Sequence, residues 1–275
     1  NTTAQIWNER LNFESDEISW GTKNESVFII IASLFAGFIA KLPQFFGFTE
    51  EFFYQRNIAF VVFPLLAAYF AWKQNTPVKR IVIASIAILV SVLYINLLPN
   101  NNQSDTLILA CLHLPLFLWA VLGFTYLGDD IKNDNRRLDF LRYNGDLVVM
   151  TAIILLAGGL FTALTINLFS LIDIHIEEFY FRNIAIWGLA AAPIVGTYLV
   201  QTNPQLVNKV SPVIAKVFTP LVLVTLIVYL VALIFTGKDP YNDRQFLLIF
   251  NLLLIGVMAI ILFSIAETSK RAESK

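Results

Sequence analysis

The chain has 275 residues, of which 57% are hydrophobic and 14% charged, and its mean hydropathy is +0.68. That leaves too little polar material to clothe a water-soluble globule of this length, so the composition is that of a membrane protein. A formal net charge of -1 argues against nucleic acid as a partner, because phosphate binding needs an excess of Lys and Arg, and the single cysteine, Cys111, rules out an internal disulfide framework.

Residues 1–26 are polar and acidic and read as a cytoplasmic segment, with Trp7 and Trp20 as interfacial anchors. They lack the basic start, short apolar core and small-residue cleavage site of a signal peptide. Eight apolar stretches follow, to be set against the roughly 20 residues a helix needs to cross a bilayer. They are Val27–Phe46, Ile58–Trp72, Ile81–Leu98, Thr106–Leu127, Leu147–Ile172, Ile184–Val200, Val213–Phe235 and Phe246–Ala266, of which the second and sixth are short. The runs are continuously apolar, without the alternation of a membrane barrel. The expected fold is therefore all-α, a polytopic bundle of about eight transmembrane helices. The chain starts at Asn1 and stops in a polar stretch at 267–275, so it reads as cut at both ends.

Placing the N-terminus in the cytoplasm puts fourteen Lys and Arg residues inside and five outside (Lys41, Arg56, Arg182, Lys238 and Arg244). This imbalance sets both termini inside. The longest inner connection, 128–146, separates a first set of four helices at 27–127 from a second at 147–266. Because four is even, the halves are expected to be parallel repeats related by an axis along the membrane normal. In the linker, Leu138, Phe140, Leu141 and Tyr143 are expected to face lipid while Arg136, Arg137 and Arg142 meet headgroups. That is the pattern of a helix lying in the inner interface.

The halves carry a shared signature. Residues 51–59 (EFFYQRNIA) and 177–185 (EEFYFRNIA) match at seven of nine positions, at an offset of 126 residues. Each copy lies at the outer entry to a short helix containing a proline, Pro64 or Pro193. Interrupted spans at corresponding places of two halves point to a transporter binding site, although proline kinks without function are common in membrane helices. Glu178 and Arg182 are spaced to pair on one helical face, and Glu51 suits a helix N-terminus, so an anchor-and-cap role explains much of the signature. The retention of Arg56-Asn57 and Arg182-Asn183 in register leaves a second reading, a pair of outer corners that bind an anionic headgroup or solute. Anchoring the fourth and eighth helices on Asp105 and Asp243 places His113 opposite Asn251, each roughly 12 Å into its helix. Both either bond neighbouring helices or serve a ligand. The same offset sets Lys41 opposite Asn167.

Asp173, His175 and Glu177 alternate and form a weak candidate for a divalent metal, with no counterpart of His175 in the first half. No phosphate loop, HExxH or nucleophile elbow occurs, and no Asp or Glu falls in mid-span. The expectation is a protein that is not an enzyme and uses no cofactor.

Leu93–Pro99 (LYINLLP), Leu109–Leu118 (LACLHLPLFL), the RRLDFLRYNGD linker, Ile172–Asn183, and Lys216–Leu230 leading to Asp239–Arg244 together form an order that resembles the bacterial inner-membrane family catalogued as domain of unknown function 4153. The resemblance covers nearly the whole chain through diffuse, mostly apolar motifs. It implies a multi-pass inner-membrane protein that continues past residue 275, and it implies no activity. The partners expected are the lipid bilayer and a lipid-like or small-molecule ligand. The favoured function is binding or moving such a solute between the repeats, and the alternative is a membrane sensor or scaffold with no transported substrate.

Overall fold

The computed structural model describes residues 21–101, 104–129, 133–202 and 210–236, with side chains in the last of these from 218 on, together with residues 244, 246–248, 250–251, 254–255 and 258. The proposed eighth helix, its anchor Asp243, Trp7, Trp20 and the tail 267–275 lie wholly or mostly outside the described residues. Among those described there are helices and no strands. In order they are α1 (Lys23–Ala40), α2 (Leu42–Phe46), α3 (Glu50–Lys73), α4 (Val78–Leu97), α5 (Asp105–Leu127), α6 (Asp134–Ser170), α7 (Glu177–Tyr180), a π-helical turn (Phe181–Ala185), α8 (Ile186–Thr202) and α9 (Val210–Thr236).

Among the described residues six stretches are long and apolar enough to cross a membrane: α1, α4, α5, α6, the run Glu177–Thr202, and Phe218–Thr236 in α9. The large apolar side chains they leave on the surface, among them Ile31, Leu34, Leu89, Leu112, Leu156 and Ile234, are the lipid-facing side of a multi-pass bundle. The expected second span is helical throughout but falls outside the six, because Arg56-Asn57 and Lys73 bound an apolar stretch shorter than a bilayer requires.

The chain forms two compact units, residues 1–158 with 183–217, and residues 159–182 with 218–275. This division differs from that of the sequence repeat. In the first unit α3 is central and packs against α1, α4, α5 and α8. The most extensive pairing is that of α1 with α8. Its cause is readable in α1, whose buried face is Ile29, Ala32, Ala36, Gly37 and Ala40. Small residues at four-residue spacing let two helix axes approach closely where hydrocarbon solvent supplies no hydrophobic drive. Trp187 lies directly over Gly37, where any Cβ would overlap the indole ring. Thr22 caps α1 by accepting the Glu25 amide at 3.3 Å. A second cluster joins α3, α4 and α5 through Phe60, Ile95, Leu114 and Leu118. In the second unit the end of α6 packs on α9 through Phe169 and Tyr229.

Two expectations need correction. The inner linker is not a separate interfacial helix, because residues 134–146 are the first turns of α6, which runs 37 residues without interruption. At 1.5 Å per residue that is about 55 Å, well beyond the hydrocarbon core. Leu138 and Leu141 are exposed as expected, but Phe140 and Tyr143 are buried against Phe70 and Tyr126. Nor do the prolines break their helices: α3 continues through Pro64 and α8 through Pro193. The irregular backbone of the sixth stretch lies earlier, in the π turn on the second copy of the repeated nonapeptide.

Candidate functional site

The first copy opens α3. Glu50 and Glu51 occupy its first turn, where their charge suits the helix dipole, and Glu51 is exposed. One and a half turns on, Arg56 is only 1% exposed. Its Nη1 donates to the carbonyls of Ile95 (2.7 Å) and Leu98 (2.9 Å), and its Nη2 to that of Pro99 (3.2 Å). The guanidinium carbon sits 4.5 Å from the centre of the Phe52 ring. Ile95 lies in the last turn of α4, and Leu98 and Pro99 follow directly on its end. Pro99 has no N–H and cannot continue the helix, so the carbonyls before it need donors from elsewhere, while that of Pro99 also accepts the Asn101 amide at 3.0 Å. Arg56 supplies them at the negative end of the helix dipole. Asn57 is also consumed, exchanging two side-chain hydrogen bonds with Asn96 at 3.0 and 2.8 Å.

The second copy behaves differently. Arg182 pairs with Glu178 at 3.2 Å, and the two side chains are 62% and 83% exposed. Asn183, within the π turn, accepts a hydrogen bond at 2.7 Å from Nζ of Lys41, a residue that is only 6% exposed at the end of α1. Thus one arginine is a buried helix cap and the other a surface ion pair. Arg56 has no surface with which to meet a solute.

His113 lies in α5 with Nδ1 2.7 Å from the Leu109 carbonyl of its own helix, and it lines a cleft of about 550 Å³ between α4 and α5. Ser91, Tyr94 and Ile95 contribute from α4, and Thr106, Leu114 and Phe117 from α5. The repeat gave no hint of this cleft's position inside the first half. Asn251 is helical and exposed. The metal candidate fails, because Asp173 takes a turn conformation with φ of 59° and Glu177 begins α7, so the extended alternation never forms. Among the described residues no group of three His, Cys, Asp or Glu is placed to hold a metal.

One polar network escaped the sequence. Glu25 of α1 accepts hydrogen bonds from Tyr69 and, at 2.7 Å, from Lys73, both on α3. Lys73 also donates to Tyr69 at 3.0 Å. Beside it Ser26 bonds Tyr198 at 2.8 Å, and Tyr143 bonds Thr197 at 2.9 Å. These contacts tie α1, α3, α6 and α8 together. The only sequence trace was the spacing of Thr22 and Glu25 at a helix start, and of Tyr69 and Lys73 one turn apart.

By architecture this is a multi-pass helical membrane protein. No family model, no curated protein and no solved structure matches the chain.

Proposed function

We propose that the protein binds a small lipid-like solute in the cleft between α4 and α5, in a bacterial inner membrane, without catalysis and without a cofactor. The observation that carries the reading is the cleft itself. Its volume of about 550 Å³ falls in the range of ligand sites, and its walls are apolar with a few placed polar groups. Arg56 and Asn57 support the wall from behind, through the carbonyl of Ile95 and the side chain of Asn96. The excess of basic residues on one side supports cytoplasmic termini, which puts the end of α4 and the start of α5 at the outer face. Eight spans in two parallel repeats, in an order resembling the inner-membrane family, belong to the same proposal.

One observation favours the alternative, a sensor or scaffold subunit: Arg56, Asn57 and Lys41 all bond groups of neighbouring helices. Native mass spectrometry of the protein released from nanodiscs separates the two. Ala110→Trp fills the cleft and should remove co-purifying lipid, whereas Ile86→Trp, on an exposed position of α4, should not. Equal lipid retention in both variants would leave the scaffold reading standing.

A further inference from the structure

The cleft's polar groups differ in what they have left to offer. Ser91, buried in the wall, spends its O–H on the Ala87 carbonyl at 2.7 Å. A carbonyl only accepts, so His113 spends its Nδ1–H on Leu109 at 2.7 Å. What remains toward the cleft is the Ser91 oxygen and, on a neutral ring, the His113 Nε2, which is turned away from its own backbone. Both are acceptors. The hydroxyls of Tyr94 and Thr106, near the outer ends of α4 and α5, make no hydrogen bond to another described residue and can donate or accept at the mouth. From Thr106 to Phe117 the cleft follows eleven residues of helix, about 17 Å.

Resting on the cleft reading above, we infer that the ligand is a lipid carrying a free hydroxyl on an apolar chain, with the hydroxyl donating to His113 or Ser91. In a medium without water, a polar group left unmatched is costly, so two acceptors facing one cleft select a ligand that brings a hydrogen. An ester or ketone oxygen finds donors only at the mouth, from Tyr94 and Thr106, and leaves the His113 and Ser91 acceptors unmatched. An ammonium brings hydrogens, but it meets the Arg56 guanidinium bonded behind Ile95. A carboxylate is attracted by Arg56 yet adds a third acceptor where two already lack a donor. The hydroxyl satisfies both conditions, and the apolar walls accommodate its chain.

The test uses the full chain in nanodiscs and a diazirine-bearing hexadecanol, with labelling mapped to residues 90–117 and competed by hexadecanol, hexadecanoic acid or hexadecane. Hexadecanol should compete best. His113→Phe should weaken its competition about two- to tenfold, the range for one neutral hydrogen bond, and leave hexadecane unchanged. Ser91→Ala should act in the same direction, with the double variant weaker than either alone. If acid or alkane competes as well as the alcohol, or if neither substitution alters the alcohol, the hydroxyl inference is overturned while the cleft survives as a lipid site. Absence of labelling within 90–117 by the probe overturns both.

Discussion

Replacing Arg56 and Arg182 by alanine, one at a time, compares two residues that the sequence presents as equivalents. At Arg56 the substitution removes three hydrogen bonds from a guanidinium that is 1% exposed, and only the Pro99 carbonyl keeps another donor, the Asn101 amide at 3.0 Å. Bonds to a charged group are worth about 1.5–3 kcal/mol each, a gross loss of roughly 5–9 kcal/mol. Against this stands relief from holding out of water a cation that forms no ion pair with a described carboxylate, which recovers several kcal/mol. The net is a destabilisation of about 3 kcal/mol, in keeping with other buried-network losses. At Arg182 only an exposed i, i+4 pair with Glu178 is lost, worth about 0.3 kcal/mol. Equilibrium unfolding in mixed detergent micelles, followed by circular dichroism, measures both. Equal costs, or an Arg56→Ala cost below about 1 kcal/mol, would refute the capping argument. Arg56→Met separates shape from donors: it fills much of the space but should still lose most of the stability.

Two further outcomes follow from the packing. Gly37→Ala should cost about 1–3 kcal/mol by forcing α1 away from the Trp187 indole, and Trp187→Leu in the same chain should recover part of it; an unchanged melting temperature in Gly37→Ala would show that the pairing is looser than described. In a double-mutant cycle, Glu25→Gln and Lys73→Gln should couple by about 2 kcal/mol, because the pair is largely buried, with side-chain exposures of 8% and 28%, and shares Tyr69. Additive costs would mean that each residue acts through other partners.

The candidate site was legible only in part. That His113 is a polar group in an apolar helix could be read directly, and Pro99 marks the end of α4 by the same logic that ends any helix. Neither reveals that Ser91 and His113 line one cleft, because the two residues sit on different helices and the cleft depends on how α4 packs on α5. The continuity of α6 was hidden for another reason. Charged residues interleaved with Leu138, Phe140, Leu141 and Tyr143 read as a separate interfacial helix when judged by hydropathy, whereas from Asp134 the backbone runs on as one helix with the following span, and Phe140 and Tyr143 are buried against Phe70 and Tyr126. The Glu25 network joins residues more than forty positions apart, beyond the reach of any local pattern.

What the sequence determined by itself is the solvent and the element type. Long apolar runs can satisfy their backbone in hydrocarbon only as helices, and that holds whatever they pack against. Tertiary structure decided what each polar residue does there. The repeated nonapeptide makes the point: with the same Arg-Asn in both copies, one arginine is buried at the end of α4 because Pro99 leaves carbonyls within its reach, while in the other copy a π turn brings asparagine to Lys41 and the arginine pairs with Glu178 at the surface. Identical side chains carry identical donors, but the acceptors are supplied by other helices, and only the packed bundle fixes which acceptors are near.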